Sequence, residues 1–164
     1  MAMARSVVIT VSDRCAAGTA EDRSGPILTG ALAEAGHSVT GRVIPDGEES
    51  VTAALRDAIA EGARLVVTTG GTGVAPRDRT PEGTRPVLDR ELPGVAELLR
   101  AAGTAVSAHA ALSRGIAGVV DAREEHLGAF VVNLPGSPGA VRDAVPVLLA
   151  LGDHVLAQLE GGDH

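Results

Sequence analysis

Residues 65–73 read LVVTTGGTG, a short apolar run followed by a loop that contains three glycines. The run at 65–68 has the length of a strand, and continuous runs of this kind are typical of strands buried on both faces of a parallel sheet. Such a sheet needs helices above and below it to cover both faces. The stretch therefore predicts an internal strand of an α/β domain that ends in a tight loop.

The sequence before this strand alternates between strand and helix patterns. Apolar runs at 7–11 and 39–44 predict two further strands. Between them, residues 24–26 (Ser-Gly-Pro) open a helix that Gly36 ends. Ser50 is predicted to cap a second helix. The apolar stripe of that helix, spaced as on one helix face, consists of Val51, Ala54, Leu55, Ala58 and Ile59. This β-α-β-α-β succession predicts a mainly parallel sheet with right-handed crossovers.

The sequence after the strand predicts three more helices. A short one begins with Thr80 as its cap and Pro81 in its first helical position. Others are predicted over 94–103 and 140–159. The inward-facing positions of the helix over 94–103 are Val95, Leu98 and Leu99. The long last helix is expected to be interrupted near Pro146 and Gly152.

The runs at 116–120 and 130–134 predict two more strands, separated by a charged turn at 121–126. Because no helical stripe lies between them, a hairpin is favoured, so that one of the two strands runs antiparallel. With 164 residues, the chain has the length of one domain. The prediction is a single domain over 1–164, an α/β three-layer sandwich whose mainly parallel central sheet has helices on both faces and one antiparallel strand.

The composition excludes several classes of protein. All 14 basic residues are arginines, so a Walker A loop, a Schiff-base lysine and an ordinary pyridoxal phosphate enzyme are excluded. A net charge of −7 and a single aromatic residue, Phe130, argue against a nucleic-acid partner. With Cys15 as the only cysteine, an intramolecular disulfide and a structural zinc cluster are excluded. No run reaches 18 apolar residues, so we expect a cytoplasmic protein without a membrane partner.

Polar, small or turn-forming residues follow four of the predicted strands. In an open parallel sheet, ligands bind outside the carboxyl ends of the strands, and these ends share one edge of the sheet. We therefore expect the four segments to meet around a ligand. They are residues 12–14, residues 45–47, residues 69–73 followed by 77–82, and residues 133–138.

The loop at 69–73 is the most informative of these segments. Gly70, Gly71 and Gly73 allow the backbone to turn sharply and to aim successive N–H groups at an anion such as phosphate. The loop does not match GxGxxG, so the dinucleotide-binding pattern is not met. A tight strand-to-helix connection without a ligand is the alternative interpretation.

Asp46 and Asp78 follow two of the strands and are the candidate metal ligands. Two carboxylates beside a phosphate-binding loop suit Mg²⁺, a hard cation that takes oxygen ligands and bridges phosphates. The alternatives are a turn-forming Asp46 and a solvated Asp78. Ser113 and Arg114 are candidate phosphate contacts, with a charge pair at a helix end as the alternative. The histidines lack zinc-site spacing, and no GxSxG hydrolase motif is present.

Taken together, six segments of the chain resemble the MogA/MoaB family of molybdenum-cofactor biosynthesis. The resemblance covers residues 7–159, and its motifs occur in the order expected for the family. They are VSD (11–13), EDRSGP (21–26), TTGGTG (68–73), RDRTPE (77–82), LSR (112–114) and NLPGSP (133–138).

The resemblance implies a molybdopterin-binding α/β domain that assembles as a trimer or as a dimer of trimers. It further implies transfer of AMP from Mg-ATP to the terminal phosphate of molybdopterin, with release of pyrophosphate. The product would pass to a partner enzyme that inserts molybdenum. In this interpretation Asp46 and Asp78 hold Mg²⁺ and are the catalytic residues. The substrate-binding residues implied by the motifs are Ser12, Asp13, Gly70, Gly71, Thr72, Gly73, Thr80, Ser113, Pro135, Gly136 and Ser137.

Two positions depart from the family pattern, and two alternative functions stay open. Arg79 stands where the family usually has an aliphatic residue, and Ala20 where an aromatic residue is common. The first alternative is a MoaB-type protein that binds the pterin without efficient adenylyl transfer. The second is an unrelated flavodoxin-like α/β domain, against which the four matching strand ends argue.

Overall fold

The computed structural model describes residues 4–162, and within this range six strands form a single sheet. Each predicted apolar run forms a strand, and a two-residue edge strand is added that the sequence did not indicate. The strands are β1 (Arg5–Val11), β2 (Ser38–Ile44), β3 (Leu65–Thr69), β4 (Arg90–Glu91), β5 (Ala117–Val120) and β6 (Ala129–Leu134).

Six α-helices and two short 3₁₀ turns connect these strands in residues 4–162. The 3₁₀ turns span Arg85–Val87 and Ala108–Leu112. The helices are α1 (Asp13–Ala16), α2 (Ser24–Glu34), α3 (Glu48–Ala60), α4 (Thr80–Thr84), α5 (Pro93–Thr104) and α6 (Pro138–Leu159).

The sheet has the strand order β2-β1-β3-β6-β5-β4. The pairs β1–β2, β1–β3 and β3–β6 are parallel, so the carboxyl ends of β1, β2, β3 and β6 lie at the same edge. β5 pairs antiparallel with both β6 and β4. The predicted mainly parallel sheet with one antiparallel strand is confirmed. The hairpin between β5 and β6 is also the one predicted.

Apolar layers cover both faces of the sheet. On one face, α2 and α6 bury Leu28, Leu32 and Leu148 against Phe130 and neighbouring strand residues, and the helix α5 packs beside them. On the other face, α3 buries its predicted stripe against alternate residues of β1 and β3. The alternation along β1 explains the division, because Val8 faces the first layer while Val7 and Ile9 face the second. The predicted three-layer sandwich is therefore confirmed.

Two predicted helix starts are wrong: α3 begins three residues earlier than predicted and α4 one residue earlier. α3 begins at Glu48, so Ser50 is not its cap. Instead, Gly47 precedes the helix with a φ of 126°, and the Ser50 hydroxyl donates to the carbonyl oxygens of Pro45 and Gly47. Glu48 in the first turn suits the positive end of the helix dipole. In α4, Thr80 is already helical and its hydroxyl group donates to the Gly70 carbonyl oxygen instead of capping the helix.

Two predictions about helix packing are also wrong. α6 is one uninterrupted helix of 22 residues that includes both Pro146 and Gly152. Pro146 lies on the exposed side, where water can bind the Arg142 carbonyl that loses its helical donor. Leu98 of α5 is 48% exposed, because the helix turns Ala96 towards the core instead. Within residues 4–162, no helix has the length and apolar character needed to span a bilayer.

Candidate functional site

The loops after β1, β2, β3 and β6 meet at one edge of the sheet and border two clefts. The first cleft, of about 890 Å³, lies between the loops after β1 and β2 and the loop after β3. The second, of about 530 Å³, lies between the loop after β3, the start of α6 and the 3₁₀ turn Ala108–Leu112. Both clefts are lined by Gly70, Gly71, Asp78 and Gly136. The glycine-rich loop therefore forms a shared border between the two clefts.

The glycine-rich loop is held tightly by its neighbours. Gly70 and Gly71 have φ values of 103° and 66°, a region that side-chain-bearing residues rarely adopt. A Cβ atom on Gly70 would lie 2.3 Å from the carbonyl oxygen of Val11, and one on Gly136 would lie 3.1 Å from the Cα atom of Gly70. The loop is fastened by backbone hydrogen bonds from Gly70 N–H to Leu134 O and from Thr80 N–H to Gly71 O. Glycine is thus required here by close backbone packing as well as by backbone conformation.

Asp13 and Asp46, on the two neighbouring loops after β1 and β2, hold each other in place beside the first cleft. The Asp13 N–H donates to Asp46 Oδ2 at 2.8 Å, and the Asp46 N–H donates to Asp13 Oδ1 at 3.0 Å. Arg77 completes the arrangement with two hydrogen bonds to the Asp13 carboxylate and one to the Asp46 carbonyl oxygen, each 2.8–2.9 Å long. These hydrogen bonds with Arg77 lower the pKa of Asp13 and raise the pKa of Arg77. Asp13 thus acts within the protein as an anchor for Arg77.

One oxygen of the Asp46 carboxylate has no hydrogen-bond partner among residues 4–162. Within residues 4–162, Asp46 Oδ2 accepts the Asp13 N–H, while no hydrogen bond to Oδ1 is found. A Cβ atom placed on Gly71 would lie 3.2 Å from this Oδ1 atom. The free oxygen therefore faces the glycine-rich loop.

Asp78 faces the same loop from its other end. Its Oδ2 atom accepts the Ala75 N–H at 3.1 Å, and a Cβ atom on Gly73 would lie 2.8 Å from Oδ2. Among the ion pairs formed within residues 4–162, none involves Asp78. Although Arg77 and Arg79 flank Asp78 in the sequence, neither forms an ion pair with it in this part of the chain.

Arg114 supports the loop instead of lining either cleft. Its guanidinium group donates to the carbonyl oxygens of Gly73 and Asp78 at 2.8 and 2.9 Å. It also pairs with the carboxylate of Glu82, and these hydrogen bonds lower the pKa of Glu82 and raise that of Arg114. Of the two interpretations of Arg114, the structure shows the charge pair.

The remaining predicted site residues fall into three groups. Ser12 lines the first cleft, and its hydroxyl oxygen caps α1 by accepting the Cys15 N–H. Thr80 lines neither cleft: it is fully buried behind the loop, where it supports Gly70. The residues that line the second cleft only are Thr72, Gly73, Ser113, Pro135 and Ser137.

The charges of the first cleft suit a polyphosphate that arrives with a cation. Of the described residues that line it, three are arginines and five are carboxylates. Asp46 and Asp78, both half-buried, each present a carboxylate to the glycine-rich loop. Carboxylate oxygens are ligands that Mg²⁺ accepts, and phosphate oxygens commonly complete its coordination. No cluster of three or more metal-ligating side chains occurs in residues 4–162.

Three residues that support the site were not identified as site residues from the sequence. Arg77 occurs in the sequence analysis only within the motif RDRTPE, and its partner Asp13 is 64 residues away in sequence. Glu82 and Asp22 were quoted only as motif letters. Asp22 accepts hydrogen bonds from the Thr10 hydroxyl and the Gly25 N–H, which fixes the start of α2 beside the first cleft. The only available signal was their presence in the motifs RDRTPE and EDRSGP.

The fold and the loops at its edge define an α/β domain with two clefts at the carboxyl ends of its parallel strands. A family model described as "Probable molybdopterin binding domain" matches residues 7–154. The chain belongs to this family, and the resemblance to MogA and MoaB is confirmed by solved structures. The tungsten cofactor synthesizing protein MoaB from Pyrococcus furiosus superimposes with a TM-score of 0.87 at 35% identity, over 98% of this chain and 99% of that one.

Curated relatives include both longer proteins and proteins of similar length. A molybdenum cofactor biosynthesis bifunctional protein of Synechococcus elongatus is 41% identical over 160 residues, which are 97% of this chain and 48% of the relative. The chain thus spans about half the length of that protein. A molybdopterin adenylyltransferase of Pyrococcus furiosus is 39% identical over 91% of this chain and 87% of its own length.

Proposed function

We propose that this protein acts in molybdenum-cofactor biosynthesis as a molybdopterin adenylyltransferase. The observation that carries the proposal is the glycine-rich loop that borders two clefts at once, with Asp78 beside it in both. A group-transfer enzyme needs two substrates bound side by side with their reacting groups in contact. The similarity to relatives named molybdopterin adenylyltransferase supports the same conclusion.

In this proposal, ATP binds in the first cleft and the pterin in the second. The phosphates lie against the N–H groups of the glycine-rich loop, close to the arginines of the first cleft. An oxygen of the terminal phosphate of molybdopterin attacks the α-phosphorus of ATP and forms the new P–O bond. The bond between the α-phosphorus and the bridging oxygen breaks, and pyrophosphate leaves with that oxygen. Positioning and charge neutralisation are the main demands of such a step.

Mg²⁺ is the proposed cofactor, and Asp46 and Asp78 are the residues that would hold it. When bound, the ion neutralises phosphate charge next to the excess of carboxylates in the first cleft. Asp13 and Arg77 keep the Asp46 loop in position, while Arg114 holds the backbone of Gly73 and Asp78. The two aspartates are thus set in a rigid frame, which supports a role in orienting the nucleotide.

The experiment that tests this function measures pyrophosphate release. Purified protein is incubated with molybdopterin, ATP and Mg²⁺, and each component is omitted in turn as a control. We expect pyrophosphate and an adenylylated pterin in equal amounts, and neither when one component is missing. ATP consumption without an adenylylated pterin would contradict the proposal.

A pterin-binding protein without efficient transfer is the second candidate. It is supported by similarity to a molybdenum cofactor biosynthesis protein B of Bacillus cereus, which is 37% identical over 88% of this chain and 83% of that protein. The same experiment separates the two candidates. Saturable binding of molybdopterin without pyrophosphate release would establish the second one.

Further proposals concern the oligomeric state, the partner enzyme, the location and the domain organisation of the protein. We infer a homotrimer, or a dimer of trimers, because several large apolar side chains are exposed on this small protein; they include Val74, Val106, Leu112 and Leu127. A molybdenum-inserting enzyme is the proposed partner that takes up the activated pterin. A cytoplasmic location and a single domain over residues 1–164 complete the proposal.

A further inference from the structure

Asp143 lies in the second cleft without a partner in the described part of the chain. It belongs to α6 and lines the second cleft, where it is half-buried. Within residues 4–162, no hydrogen bond and no ion pair involves its carboxylate. Its neighbour Arg142 lines a different groove, together with Glu21 and Pro138. A charged group in a concave, partly desolvated position gains from a ligand that donates hydrogen bonds to it.

The two clefts differ in charge. Of the described residues that line the second cleft, none is an arginine, whereas Arg14, Arg23 and Arg77 line the first. Because the chain contains no lysine, the second cleft offers phosphate no permanently charged cation. Among the described residues, the charged side chains that line it are Asp78, which also lines the first cleft, and Asp143, which does not. His109 lines the cleft as well, with its ring nitrogen 3.4 Å from the Ser107 hydroxyl. A neutral ligand rich in hydrogen-bond donors fits this cleft best.

The wall of the second cleft suits a flat ring. Val106 and Leu112 line it and are 72% and 55% exposed, so their apolar surfaces lack cover from the protein. A heterocycle lying against them would remove apolar surface from water on its face while its edge stays free for hydrogen bonds. Asp143 and these two side chains thus offer an acceptor and an apolar wall to the same ligand.

We propose that Asp143 recognises the donor edge of the pterin ring in the second cleft. This inference rests on the proposed function, since it takes the ligand to be a pterin. The 2-amino group and the N3–H group of a pterin point in the same direction, and one carboxylate can accept a hydrogen bond from each. Asp143 is then a specificity-determining residue, whereas Asp46 and Asp78 serve the phosphates.

The proposal predicts discrimination between two closely related rings. Pterin carries an amino group at C2, and lumazine has a carbonyl oxygen there. Lumazine would turn that oxygen towards the carboxylate of Asp143, so one hydrogen bond is lost and two acceptors face each other. A hydrogen bond to a charged group is worth roughly tenfold or more in affinity. We therefore expect the unmodified protein to bind pterin at least about tenfold more tightly than lumazine.

The test titrates both rings into three proteins by calorimetry: the unmodified chain, Asp143→Asn and Asp57→Asn. Asp57 is an exposed carboxylate on α3 that lines neither cleft, so its variant is a matched control. Asp143→Asn keeps the size of the side chain but replaces one acceptor by a donor. We expect the variant to lose the preference for pterin over lumazine, and the control to retain it. Circular dichroism verifies that all three are folded.

Two outcomes overturn the proposal. One is an unmodified chain that binds both rings equally or binds neither; the other is an Asp143→Asn variant that keeps the full preference for pterin. Pyrophosphate release, measured on the same preparations, separates this inference from the proposed function. If the protein releases pyrophosphate but binds pterin and lumazine equally, only the proposed role of Asp143 is contradicted. If the preference for pterin depends on Asp143 but the protein releases no pyrophosphate, only the proposed adenylyl transfer is contradicted.

Discussion

At the scale of single residues, Asp78 offers the most direct test of the proposed chemistry. Its carboxylate borders both clefts and forms no ion pair within residues 4–162. Asp78→Asn keeps the shape of the side chain but removes the charge that would hold Mg²⁺ against the phosphates. We expect turnover, measured as pyrophosphate release, to fall by about 10²–10³-fold. Stability should change by about 1 kcal/mol or less, since this carboxylate is only half-buried.

The control for this experiment is Asp57→Asn, which should keep normal turnover. Asp46→Asn should resemble Asp78→Asn, and the double variant should lose less than the product of the two single losses, because two ligands of one ion act together. Near-normal turnover in Asp78→Asn would remove Asp78 from the proposed metal site.

Arg77 and Asp13 allow a test that does not depend on the reaction. Two hydrogen bonds from Arg77 hold the pKa of Asp13 below its ordinary value. A carboxyl group whose pKa is lowered by folding stabilises the folded state above its unfolded pKa, and this contribution is lost as the pH falls through the folded pKa. We therefore expect Asp13 to titrate at a lower pH in the unmodified protein than in Arg77→Gln. Carbon-detected NMR of the carboxyl group measures both midpoints.

If Asp13 titrates identically with and without the Arg77 side chain, the pair seen in the structure does not persist in solution.

At the scale of elements, the loop after β3 is the most sensitive to substitution. A Cβ atom on Gly71 would lie 2.3 Å from Thr80 Oγ1, and its φ of 66° disfavours other residues. From the sequence, Gly71→Val should abolish ligand binding in a folded protein. The contact with Thr80 adds a second effect, because the loop must move away from its support. We expect Gly71→Val to lose nucleotide and pterin binding and to lower the free energy of unfolding by about 1–3 kcal/mol.

Gly30→Ala is the matched control for Gly71→Val. Gly30 lies inside α2, has no atom within 4 Å of the added Cβ position, and gains helix propensity with alanine. This variant should bind nucleotide and pterin as the unmodified protein does, and its free energy of unfolding should be higher by roughly 0.5–1 kcal/mol. Calorimetric titration and chemical denaturation measure both quantities. Unchanged affinity in Gly71→Val would show that the loop is not part of the binding site.

At the scale of the whole molecule, the expected outcome is a trimer or a dimer of trimers. Exposed Val74, Val106 and Leu112 lie in or next to segments that border the second cleft, so burial of this surface would also shape the binding site. Sedimentation equilibrium over micromolar concentrations should give a mass three or six times that of the 16.4 kDa chain. A monomer over this whole range would contradict the prediction.

Much of the architecture could be predicted from local patterns in the sequence. The buried strands, the stripe of α3 and the β5–β6 hairpin all follow from the spacing of apolar residues, which records which side of an element meets the core. The errors lie where tertiary contacts outweigh local preference. Packing along its whole length keeps α6 continuous through Pro146, and the contact with Gly70 takes Thr80 away from the role of cap.

The sequence by itself determined that glycines and aspartates follow the strands and meet at one edge of the sheet, because parallel strands place their carboxyl ends together. Only the tertiary structure decided which side chains support these residues and how the residues are distributed between the two clefts. Arg77 reaches Asp13, and Arg114 reaches Glu82, across 64 and 32 residues of sequence. Pairings of this range depend on strand order and on the path of each loop, which local periodicity does not record. The same long-range geometry separates the edge into a cleft lined by three arginines and a cleft that, among the described residues, is lined by Asp143 and by no arginine.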